Sequence, residues 1–208
     1  MNHKIIESIE SKDTESDADI TRVIFVRHAQ SVYGEDDRNR PLSEEGERDK
    51  QIVLETLKDR AVDVFLCSPY KRSYDTIKEA ADHFGMNILT DERFRERTCG
   101  NHSWEWLHKR WADFSLAEEG GENLRSVQDR NMEALREALN NYPGKTIVIG
   151  THGTALSTIL NYYNGDFDVK DFLRIVSLMP YIVELTFRQE ELIGITELAY
   201  VDKGPSDK

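Results

Sequence analysis

Two histidines stand where chemistry could be done. His28 follows Arg27 at the end of the apolar run 23–26, and His152 follows a second run, 146–151, with Gly153 directly after it. A neutral imidazole, with an ordinary pKa of about 6.5, can attack phosphorus near neutral pH without a separate activating base. A phosphate dianion needs donors from several directions, and a guanidinium offers a rigid fork that matches its oxygens. Arg27 adjoins His28, and Arg72 opens the segment after Ser68-Pro69. Gly153 lets a ligand approach the backbone closely. Together these side chains suit phosphoryl chemistry through a histidine nucleophile.

The elements that must position them alternate along the chain. Residues 23–26 form a short β-branched run of the kind found in buried parallel strands. Ser43 is placed to cap a helix whose first turn holds Glu44, Glu45 and Glu47. Residues 62–67 make the next strand. Tyr70, Ser73, Tyr74, Ile77, Ala80, Ala81 and Phe84 then follow at helical spacing, with Gly85 as a stop signal. A weak strand at 87–90, an amphipathic helix from Leu124 to Leu139, the strand 146–149 and a helix through Ala155, Leu156, Ile159 and Leu160 come next. Residues 181–187 and 192–198 read as a terminal hairpin across Gln189-Glu190-Glu191. Such alternation predicts an α/β layered domain with a largely parallel sheet. In such sheets ligands bind beyond the carboxyl ends of the strands, where His28 and His152 both fall.

Composition sets the outer limits. At 208 residues the chain can bury one full core, and 38% hydrophobic with 32% charged residues suits a globular protein. A net charge of −12 argues against nucleic acid or an anionic membrane as partner, although a local group of arginines can still attract a small anion. No apolar stretch approaches the roughly 20 residues that span a bilayer, and the N-terminus lacks a signal-peptide pattern. Cys67 and Cys99 form neither a CxxC pair nor a disulfide framework, so cytoplasmic residence and structural thiols are expected. Residues 1–20 read as a loosely ordered leader, 21–201 as a single catalytic domain and 202–208 as a frayed tail.

Four motifs in order carry a family resemblance. They are Arg27-His28-Ala29-Gln30-Ser31; Arg40-Pro41-Leu42-Ser43-Glu44-Glu45-Gly46; the run from Cys67 to Thr76 around Arg72; and Gly150-Thr151-His152-Gly153. The chain resembles the histidine phosphatase superfamily, in its phosphoglycerate-mutase-like branch, over about residues 22–198. That resemblance implies a three-layer α/β sandwich. It also implies His28 as the phospho-accepting nucleophile, with Arg27, Arg72 and His152 around the phosphoryl group. Ser31, Gln30 and Gly153 are further candidates for phosphate contact. A leaving alkoxide must also be protonated. The family often places a Glu in a segment like 94–100, which points to Glu96, with Glu105 as its rival. Two positions depart from the family pattern: Ala29 stands where it has glycine, and Gly34 where many members have asparagine.

The expected activity is hydrolysis of a small phosphomonoester with no metal and no cofactor. The alternatives are a phosphoglycerate-mutase-type phosphotransferase and a non-catalytic phosphate- or phosphopeptide-binding module. Residues 100–122, which hold Trp104, Trp106 and Trp111, are expected to form a lid over the pocket.

Overall fold

A computed structural model describes residues 19–34, 36–100 and 104–204, together with the backbone but not the side chain of Trp104. One six-stranded sheet organises the chain. Its strands are β1 (Ile20–Arg27), β2 (Val64–Cys67), β3 (Ile88–Thr90), β4 (Thr146–Thr151), β5 (Leu178–Arg188) and β6 (Glu191–Asp202), in the order β3-β2-β4-β1-β5-β6. β1, β2, β3 and β4 run parallel; β5 and β6 are antiparallel additions at one edge.

Helices cover both faces, as strands apolar on both sides require. Seven are described: α1 (Glu44–Asp49), α2 (Gln51–Leu57), α3 (Lys71–His83), α4 (Trp104–Ala112), α5 (Leu124–Asn141), α6 (Gly153–Tyr163) and α7 (Val169–Ser177). On one face Val23, Phe25, Ile147, Ile149, Val183 and Leu185 pack under α5 and α6. On the other, Ile24, Val26, Phe65 and Val148 pack under α2 and α3. The alternation of β1 between these clusters is the period-two side-chain pattern of a strand buried twice. The expected three-layer sandwich is therefore observed.

Several boundaries differ from expectation. β1 begins at Ile20, because Ile20 and Thr21 pair with Arg188 and Phe187 of β5, a partner that local composition does not reveal. The expected leader otherwise falls on residues 1–18, outside the described residues. Asp202 and Lys203, expected to fray with the tail, are held: Asp202 pairs with Leu178, and Lys203 donates to Ser177 O and to Glu45. Residues 205–208 also lie outside the described residues. α7 was not anticipated, although Asp168 and Asp171 form a capping box at its start. Among the described residues no helix is long and apolar enough to cross a membrane.

Candidate active site

The site lies at the carboxyl ends of three neighbouring strands, β2, β4 and β1. His28 leaves β1, Ser68 leaves β2 and His152 leaves β4 to become the N-cap of α6. The second motif holds the loop after His28 from outside. Ser43 N–H donates to Gln30 O (3.0 Å), Val32 N–H to Pro41 O (3.1 Å), and Ser31 bridges Leu42. A Cβ at Gly46 would lie 2.0 Å from Gln30 O, so only glycine lets α1 press on that backbone. The third motif holds the loop from inside: Ala29 N–H donates to Thr76 Oγ1 at 3.0 Å.

His28 is buried, and two contacts fix one tautomer. Its Nδ1 meets Ala29 O at 2.7 Å, and a carbonyl only accepts, so Nδ1 carries the proton. Its Nε2 accepts from Arg72 Nε at 3.2 Å, which requires a lone pair there. Burial, then the charges of Arg72 and Arg27, hold this imidazole well below its ordinary pKa. The ring is a neutral base with its lone pair on Nε2.

His152 lies beside it, with ring centroids 5.2 Å apart. Its Nε2 meets Ser68 Oγ at 2.7 Å, while Nδ1 is buried with no hydrogen-bond partner among the described residues. Burial and then the Arg72 charge keep this ring neutral too.

The two arginines are held in different ways. Arg27 Nη1 donates to Ile175 O, Val176 O and Leu178 O (2.5, 2.9 and 2.5 Å), the carbonyls at the end of α7. These satisfy acceptors that a helix terminus leaves open. Its Nε is buried with no hydrogen-bond partner among the described residues, and desolvation pushes its pKa down to about 10. Arg72, fully buried in α3, donates from Nη1 to Asp37 O (2.6 Å) and sits 5.0 Å from the Tyr70 ring centroid. Two buried guanidiniums, Arg72 with Asp37 Oδ1 at 3.4 Å, thus lie beside two neutral imidazoles and concentrate positive charge locally in a chain of net charge −12.

Glu96 is brought to this cluster and Glu105 is not. Glu96 Oε2 accepts from Thr154 N–H (3.1 Å) on the first turn of α6, two residues past His152, and Oε1 from Arg97 N–H (2.7 Å). Its charge is felt by both Arg27 and Arg72. Glu105 is an exposed carboxylate on α4, paired with Lys109.

Other expected contacts are placed differently. Gln30 is turned to Ser43, whose hydroxyl donates to its Oε1 at 2.8 Å. The space at Gly153 is taken by Arg27: a Cβ there would stand 3.2 Å from its Nε. Ser31 is half-buried beside these motifs. Cys67 is buried with its thiol pushed up to about 12 by desolvation, the expected structural thiol.

Sequence reasoning missed Arg40, Tyr70 and Ser68 as neighbours of the site. Arg40 adds to the charge that depresses His28, pairs with Asp37 (2.8 Å) and keeps Nε buried without a partner. Its place in the second motif was the available signal. Of the aromatic segment, Trp111 packs on Phe114, Phe167 and Phe172, and Glu118 is buried between Arg97 and Arg110 (2.8 and 2.7 Å). Its C-terminal half is thus anchored to the body.

The sequence model of the histidine phosphatase superfamily, branch 1, matches residues 23–193. An uncharacterized phosphatase, PhoE, of Bacillus subtilis (strain 168) is 28% identical over 154 residues, 70% of this chain and 79% of the relative. Phosphoserine phosphatase 1 of Hydrogenobacter thermophilus is 27% identical over 150 residues, 64% of this chain and 71% of its own. Among solved structures, a mycobacterial glucosyl-3-phosphoglycerate phosphatase superposes with a TM-score of 0.68 at 20% identity, covering 86% of this chain and 97% of the other. At that identity the likeness is one of fold.

Proposed function

Because the chain belongs to the histidine phosphatase superfamily, branch 1, we propose that it is a phosphomonoester hydrolase working through a phosphohistidine at His28. The observation that carries this reading is the single tautomer of His28, with Nε2 lone-paired between Arg72 and His152.

The proposed reaction has two steps. A phosphate dianion takes over the Arg72 Nε–H, which frees the Nε2 lone pair. Arg27 Nε and His152 Nδ1, both buried without partners, supply further donors. With the Ser68 hydroxyl donating to His152 Nε2, the His152 proton resides on Nδ1 and is available to a phosphoryl oxygen. Nε2 of His28 forms a bond to phosphorus as the P–O ester bond breaks, and Glu96, entering this step as the neutral acid, transfers its proton to the departing oxygen and is left as the carboxylate. The guanidiniums and His152 stabilise the equatorial oxygens as charge spreads over them. In the second step Glu96 takes a proton from water as the water oxygen bonds to phosphorus and the P–N bond breaks; the electron pair returns to His28 Nε2 and inorganic phosphate leaves. The positive charge comes from protein side chains, so the path needs no metal.

The substrate is read as a small phosphomonoester, in line with the phosphatases among the relatives. The test is to quench the enzyme during turnover of ³²P-labelled substrate and recover acid-labile, alkali-stable label. Label should map to His28 and be absent from His28→Ala. Label on wild-type protein at any other residue would refute the nucleophile. With 3-phosphoglycerate as substrate, phosphate release supports hydrolysis, and isomer formation would support phosphotransfer.

A further inference from the structure

Among the described residues, no side chain hydrogen-bonds the Glu96 carboxylate. Its two oxygens take backbone N–H groups, from Arg97 and Thr154. Where that carboxylate stands is therefore set by where the backbone of residues 93–97 lies against the α6 N-terminus.

That backbone is fixed from α5 by one guanidinium. Arg130 Nη1 donates to Arg93 O and Arg95 O (2.6 and 2.7 Å), and Nη2 to Glu96 O (3.2 Å). Nε and Nη2 complete a bidentate pair with Glu122 Oε1 and Oε2 (2.9 and 3.0 Å). All five N–H donors of the fork are used, three of them on the segment that carries Glu96. Glu122 reaches the same segment independently: it accepts from Arg95 Nη1 (2.7 Å) and Thr98 N–H (3.3 Å). Arg130 and Glu122 are both largely buried, at 14% and 13% exposure, so these bonds meet little competition from water. Burial opposes the Glu122 charge, but Arg130 and Arg95 hold its pKa down at about 2, so this carboxylate stays ionised at any working pH.

We infer that Arg130, braced by Glu122, is a positioning residue for Glu96 and so controls protonation of the leaving group without touching substrate. The inference rests on the reading of Glu96 as proton donor. It predicts that the loss on removing Arg130 depends on how much the leaving oxygen needs a proton. An alkyl phosphate expels a strongly basic alkoxide, while a nitrophenyl phosphate expels a weak base.

The experiment compares kcat/KM for O-phosphoserine and for p-nitrophenyl phosphate in wild type, Glu96→Gln, Arg130→Met, Arg130→Lys and Glu122→Gln, all as full chains. Using kcat/KM confines the readout to the steps up to the first phosphoryl transfer. A misplaced donor costs up to about a hundredfold. The alkyl-to-aryl ratio should fall about tenfold or more in Glu96→Gln and Arg130→Met, and less in Arg130→Lys, which keeps the charge and loses the fork. Equal losses on both substrates in Arg130→Met, beside a selective loss in Glu96→Gln, would overturn the inference alone. An unchanged ratio in Glu96→Gln would overturn the reading of Glu96 and this inference with it. If Arg130→Met does not fold, the ratios in Arg130→Lys and Glu122→Gln decide, with the same outcomes.

Discussion

Arg72 Nε donates to His28 Nε2 at 3.2 Å, so the guanidinium proposed to bind phosphate is also the group that occupies the imidazole lone pair. On the proposed mechanism, substrate takes the arginine donor before the imidazole reacts. Binding and activation are then one event.

Replacing Arg72 should separate these effects. In Arg72→Met, kcat/KM is expected to fall by about a hundredfold to a thousandfold, the scale for losing a preorganised donor. The His28 titration should move up toward about 6.5, because the Arg72 charge is one of the causes holding it down. Imidazole NMR shifts against pH measure this; a His28 titration that moves further down would contradict the electrostatic account.

Gly153→Ala tests the packing of Arg27. The new Cβ would meet Arg27 Nε at 3.2 Å, and the guanidinium has little room to retreat because Nη1 is clamped by α7 carbonyls. The expected result is an intact fold with kcat/KM lowered about tenfold to a hundredfold. Circular dichroism and steady-state kinetics on the same sample check it.

Acid should destabilise the protein through its two buried histidines. Both have folded pKa values well below that of the unfolded chain, about 6.5. As pH falls below about 6.5 the unfolded state binds protons that the native state refuses, so stability drops. The limiting slope is about 1.4 kcal/mol per pH unit for each histidine. Below the ordinary carboxylate range Glu118 and Glu122, both held near about 2, add losses of the same sign. Urea unfolding at pH 7.5 and 5.5 should show the drop, and His152→Asn should make it smaller.

Glu118→Gln should cost stability more than chemistry. It leaves Arg97 and Arg110, at 3% and 7% exposure, without the carboxylate between them. Removing one member of such a buried group costs about 3 kcal/mol. Thermal unfolding should show a clear drop in Tm, with the alkyl-to-aryl kcat/KM ratio unchanged. The lid expected over residues 100–122 is tested separately by Trp106→Ala, which should change the ranking of substrates by kcat/KM.

The sequence by itself determined the motifs and their order, the strand–helix alternation and the two histidines at strand ends. These are local quantities: a β-branched run, a helical spacing, a histidine after an apolar strand. Even the cap at Ser43 is local, since its Oγ accepts from Gly46 N–H at 3.0 Å. Only the tertiary structure decided which carboxylate joins the cluster: Glu96 is held against the first turn of α6 while Glu105 stands exposed on α4, and no local pattern specifies what folds over either. It also decided that Gln30 turns to Ser43, and that Arg27 is anchored by carbonyls 148 to 151 residues away. Such contacts form between groups far apart in the chain, and each depends on the register of elements that no local pattern specifies.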